Sequence, residues 1–131
     1  MNYNASIYYN KLSDFNAEVK SARDQLNALQ SALDRKVADI YHDIERKENI
    51  TMNESHTIMA ELKKTLEHRR VIKDELKRLD PLFYFLRDNM SQVESQYEKA
   101  KRKSYEIRES LNAQLTIDDV IQIYTSEEVT A

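Results

Sequence analysis

The chain of 131 residues has no glycine, no cysteine, no tryptophan and one proline. At an average usage of about 7%, roughly nine glycines would be expected in this length. Tight hairpins, positive-φ turns and phosphate-cradling loops lean on glycine. Its absence argues against a β-rich fold and against a nucleotide-binding α/β fold. Without cysteine no disulfide framework forms, which fits a reducing compartment. No run of about 18 apolar residues is present, so no membrane span is expected. The start, Met1-Asn2-Tyr3-Asn4, lacks the basic and apolar regions of a signal peptide, and the expected location is cytoplasmic. Charge is not one-sided either, with 23 acidic against 20 basic residues and a net charge of −3. A general nucleic-acid binder is usually basic and a nucleic-acid mimic far more acidic.

What the chain does have is 33% charged and 40% hydrophobic residues, a balance that suits solvated helices with a narrow apolar seam. Ala5, Tyr8, Leu12, Phe15, Val19, Ala22, Leu26, Leu29 and Leu33 recur in alternating steps of three and four, a heptad with these residues at a and d. After Leu33 the stripe slides by one, through Val37, Ile40 and Ile44, as a relaxing supercoil allows. A helix over 5–47 is predicted. A break follows at Glu48-Asn49-Ile50. Thr51-Met52-Asn53-Glu54 then reads as a capping box, with Asn53 a competing cap. So short a break between two amphipathic helices means a helical hairpin.

The second seam runs through Ile58, Leu62, Thr65, Arg69, Ile72, Leu76, Leu79, Phe83, Leu86, Met90, Val93, Tyr97, Ala100, Ser104, Ile107 and Leu111. Its phase is unchanged across Asp80-Pro81. Proline inside a helix removes a hydrogen bond and clashes with the preceding turn, at about 3 kcal/mol. A kink or shallow corner is therefore expected at Pro81, between helical segments 52–79 and 81–113. Thr116 caps a last short helix over 117–124, aided by Asp118 and Asp119 at its positive end. Residues 126–131 read as a frayed tail. The expected fold is all-α: one elongated domain over 1–131, built as a long antiparallel helical hairpin or coiled coil with a Pro81 kink or corner and a short C-terminal helix.

In such a hairpin the first helix covers the second from about residue 52 to 95. The stripe from Tyr97 to Leu115 is left without a partner in the chain, and dimerisation is the simplest way to cover it. Candidate partner-binding residues are Tyr97, Tyr105, Ile107 and Leu111, together with the aromatic run Phe83, Tyr84 and Phe85. That run is apolar all round and suits either core or an interface anchor. Arg69 occupies a seam position. It either fixes register against Gln30 or Asp34, or joins Arg70 and Lys73 in an anion site. The basic run Lys99-Ala100-Lys101-Arg102-Lys103 suits electrostatic steering, and without an aromatic platform it argues weakly for nucleic acid. His42, His56 and His68 make no metal-ligand spacing. No catalytic constellation is recognisable, and the carboxylates fall on outward positions away from any cleft. No enzyme activity, metal or cofactor is expected.

Asp39-Ile40-Tyr41-His42-Asp43-Ile44-Glu45 and Leu66-Glu67-His68-Arg69-Arg70-Val71-Ile72-Lys73-Asp74-Glu75-Leu76 resemble segments of small helical proteins from phages and prophages of Gram-positive bacteria. The resemblance implies a phage accessory protein acting in the host cytoplasm. Proteins of that kind often bind and block a host enzyme or defence protein. It carries over no functional residue. The expected function is a non-enzymatic protein-binding module, a homodimer or higher oligomer, that inhibits or modulates a host defence or replication protein. The alternatives are a structural coiled-coil assembly or scaffolding component, and an oligomeric sponge for an anionic nucleotide held by Arg69, Arg70 and Lys73.

Overall fold

The structure is a computed structural model that describes residues 3–130, and the side chains of residues 3–125. It is all-α. Its helices are α1 (Ala5–Arg46), α2 (Met52–Ser110) and α3 (Ile117–Thr130), with no strand among the described residues. α1 and α2 pack together as an antiparallel hairpin, so contact partners rise along one helix as they fall along the other. Lys47 meets Glu54, Asp34 meets Arg69, and Arg23 meets Asp80. Packing divides the chain into two units, one of Ala17–Phe85 and one holding the chain up to Asn16 and from Leu86 onward.

The starts of all three helices and the end of α2 are capped without glycine. Asn4 opens α1, its Oδ1 accepting from the Ser6 amide at 3.0 Å and from the Ser6 hydroxyl at 2.7 Å. Thr51 caps α2, its hydroxyl accepting from the Glu54 amide at 3.2 Å, while Asn53 lies inside the helix. The Glu54 carboxylate is engaged by Lys47 at 3.4 Å, across the break between the helices. α2 ends in a Schellman motif. The Asn112 amide donates to the Glu109 carbonyl and the Ala113 amide to the Arg108 carbonyl, at 3.1 and 2.8 Å. The motif needs a left-handed residue, which is normally glycine, and asparagine is the usual substitute. Asn112 supplies it, with φ of 54°. α3 starts with a reciprocal box: the Thr116 hydroxyl accepts from the Asp119 amide and the Asp119 carboxylate from the Thr116 amide.

Three expectations are corrected. First, α2 passes through Pro81 as one helix, so segments 52–79 and 81–113 are a single element ending at Ser110. Proline leaves the Lys77 carbonyl without its usual donor, and Lys77 and Pro81 are both exposed, so water can serve instead. Leu76, Leu79 and Phe83 stay on the inner side across Pro81, and a full stop there would forfeit that shared face. Second, α3 continues to Thr130 rather than ending near Tyr124. The backbone expected to fray is helical to that point, and Ala131 lies outside the described residues.

The third correction concerns which face of α1 is covered. The covered row is Tyr9, Leu12, Asn16, Val19, Arg23, Leu26, Gln30, Leu33, Val37, Ile40 and Ile44. It is an unbroken heptad, so nothing slides at Leu33. The more apolar row expected from the sequence shares Leu12, Val19, Leu26 and Leu33, but its Tyr8, Phe15 and Leu29 are 49%, 43% and 51% exposed. The chosen face goes with two partly exposed ion pairs, individually weak in water. α2 brings Asp80 and Arg69 to this face, and α1 answers with Arg23 and Asp34. The α2 seam is the one expected, covered from Ile58 to Tyr97 apart from Val93. Its most enclosed residue is Thr65, 1% exposed, whose hydroxyl donates to the Glu61 carbonyl at 2.8 Å and is thereby satisfied within its own helix.

Candidate interaction surface

Within the unit Ala17–Phe85 the aromatic run is organised by Arg23 of α1. The Arg23 guanidinium donates from Nε to Asp80 Oδ1 at 3.1 Å and from Nη2 to the Tyr84 hydroxyl at 3.2 Å. Its central carbon lies 4.1 Å from the Phe83 ring centroid and 5.3 Å from that of Tyr84. The two rings meet edge to face at 5.5 Å. A planar guanidinium can lie flat on a ring while its edge donates, a geometry the compact ammonium of lysine does not offer. The hydrogen bond to Asp80 is the main reason the Arg23 pKa is raised, with the charges of Tyr84 and Asp80 adding to it. Of the three expected aromatic anchors, Phe83 and Tyr84 are thus engaged by α1, while Phe85 is 65% exposed.

The expected anion site does not converge. Arg69 Nε donates to the Asp34 carboxylate, which is one of the two register partners foreseen for it. Arg70 instead borders an apolar strip of α2 with Met59, Leu66 and Val71, and Lys73 is half-buried. A shallow groove of about 480 Å³ runs between α1 and α2, lined by Leu29, Leu33, Val71 and Ile72 with Lys36 and His68 at its edge.

In the other unit, Tyr9 of α1 stacks on Tyr97 of α2, with centroids 4.0 Å apart and planes 5° from parallel. Burial against its neighbours raises the Tyr9 pKa above 10.0, and the carboxylates of Glu94 and Glu98 push the same way. Tyr97 therefore belongs to the α1–α2 contact and is not part of an open surface. It is also where cover ends. From Glu98 to Asp119 every residue is exposed, including Tyr105 at 68%, Ile107 at 50%, Leu111 at 72% and Leu115 at 59%. At the α2–α3 turn, Lys101, Tyr105, Arg108 and Asn112 help line a hollow of about 550 Å³. There Arg108 donates to the Leu115 carbonyl and ties the turn to the end of α2.

Sequence reading missed the pairing of Arg23 with Asp80. The signal for Arg23 was its place in a polar row, Asn16, Arg23 and Gln30, spaced by seven and interleaved with Val19 and Leu26.

No known protein family, curated protein or solved structure matches the chain. No helix among the described residues is long and apolar enough to cross a membrane.

Proposed function

We propose that the protein is a non-enzymatic binding module whose α2 seam, left open beyond Tyr97, is covered by another protein. The observation that carries this reading is the uninterrupted exposure from Glu98 to Asp119, which leaves Ile107 on α2, Leu111 in the turn that ends it and Leu115 in the α2–α3 connection all open. Apolar surface costs free energy in water, at about 25 cal/mol per Å². A contiguous apolar edge on a helix is the usual mark of a partner site. The Arg23 cluster and the Asp34–Arg69 pair supply the other half of the argument: the hairpin holds itself in register without help, which leaves the open seam for a partner. The resemblance to phage helical proteins supports a host protein in that role.

The test compares the full chain with the double variant Ile107→Asp, Leu111→Asp as bait in bacterial extract. The expected result is one stoichiometric protein retained by the parent and lost with the variant, whose helical circular dichroism is unchanged. Equal retention by both contradicts the reading.

The groove of Leu29, Leu33, Val71 and Ile72 favours a second reading, a structural coiled coil in which a further copy of the chain fills it. Concentration-dependent growth of the particle in light scattering, abolished by Val71→Asp, is its signature.

A further inference from the structure

We infer that the partner of the open α2 seam is an amphipathic helix with acidic flanks. This rests on the binding reading above and specifies the chemistry of its partner. In paired helices the seam residues supply affinity, and the residues bordering the seam select the partner. The seam here continues in heptad spacing from Tyr97 through Ala100, Ser104, Ile107 and Leu111. Its borders are Gln96, Lys101, Lys103, Arg108 and Ser110, and all five are exposed. The carboxylates of this stretch, Glu98, Glu106 and Glu109, fall on the opposite side of the helix by the 3.6-residue repeat. The seam is thus edged by three cations, an amide and a hydroxyl, with no carboxylate on either border.

Those cations are uncommitted in charge. Among the described residues, the ion pairs are Arg23–Asp80, His42–Glu45, Lys47–Glu54, Arg69–Asp34 and Arg87–Asp88, none of which involves Lys101 or Lys103. Arg108 bonds only a backbone carbonyl, that of Leu115. A carboxylate brought to this edge would therefore displace no existing pair.

The same borders disfavour a second copy at this seam. Antiparallel self-pairing about Ser104 sets Lys101 against Arg108 and Lys103 against Lys103. Parallel self-pairing sets Lys103 against Arg108. Like charges across a seam repel and select against such pairings. Nucleic acid would satisfy the cations but not Ile107, Leu111 and Leu115, whose exposed apolar surface calls for an apolar counterpart.

Two synthetic helical peptides test this, each three heptads long with leucine at a and d. One carries glutamate and the other lysine at every flanking position. Each is titrated into the full chain by fluorescence anisotropy at low and high salt. The glutamate peptide is expected to bind at least tenfold tighter at low salt, with the preference shrinking at high salt and reversing in the Lys101→Glu, Lys103→Glu variant. A preference unmoved by that variant overturns the inference, as does tighter binding of a DNA duplex than of the glutamate peptide. Equal binding of both peptides, lost in Ile107→Asp, Leu111→Asp, overturns the acidic flanks but keeps the seam as a binding surface. Binding of neither peptide overturns the seam itself.

Discussion

Replacing Pro81 by alanine should make the protein more stable. α2 runs through this position as one helix, Pro81 is exposed, and the Lys77 carbonyl lacks its normal amide donor. Alanine restores that donor and removes the ring clash. In a helix interior proline is about 3 kcal/mol worse than alanine. Two effects reduce the gain: the helix is already adapted to the ring, and proline restricts the unfolded chain by about 0.4–1 kcal/mol. A net gain of about 1–2.5 kcal/mol remains. With about 2.1 cal/mol/K of unfolding entropy per residue, the 131 residues give roughly 0.28 kcal/mol/K, so Tm should rise by about 4–9 °C. Thermal melts followed by circular dichroism at 222 nm measure this directly. A fall in Tm would refute the reasoning, because it would show that Pro81 begins a separate helix, where proline is favoured.

The aromatic run should divide on mutation. Phe83→Ala, which strips the ring beneath Arg23, should cost about 1–2 kcal/mol for a half-buried phenylalanine, whereas Phe85→Ala at a 65% exposed position should change stability by less than about 0.5 kcal/mol; urea unfolding of the two variants decides. Acid should loosen the start of α3. The Asp119 pKa is lowered from 3.8, first by the Thr116 amide it accepts from and then by the Thr116 hydroxyl. A carboxyl depressed in the folded state contributes its stability above the unfolded value and loses it as pH falls through the folded one. The Thr116 amide resonance should therefore shift on acidification below 3.8, and a titration of Asp119→Asn should leave that resonance still.

Much of this was legible from residue spacing, because a seam needs only periodicity to declare itself. The α2 stripe from Ile58 to Tyr97, the break before Thr51 and the caps at Thr51 and Thr116 all follow from local chemistry. The covered face of α1 did not. Hydrophobicity alone prefers Tyr8, Phe15, Ala22 and Leu29 over Tyr9, Asn16, Arg23 and Gln30. What sets the covered row apart is its polar partners on α2: Arg23 pairs with Asp80, and Asp34, next to Leu33, pairs with Arg69. Such a pairing over 57 and 35 residues of sequence leaves no local trace. At Pro81 the unchanged phase of Leu76, Leu79 and Phe83 argues for a kink or shallow corner over a reversal, and α2 continues through it; only the division into segments 52–79 and 81–113 is not kept. The open stretch after Tyr97 was foreseeable by counting, because α1 is too short to reach further. The cationic borders of that stretch emerge only once the covered phase is known.

Backbone hydrogen exchange along α2 in dilute, partner-free protein tests the central claim most directly, since a helix packed on a neighbour opens less often than one standing alone. Amides from Leu62 to Met90 should be strongly protected, and those from Lys101 to Ser110 should exchange at least about tenfold faster. Protection after Lys101 equal to that around Leu76 would mean that the seam is already covered, and the account would be contradicted.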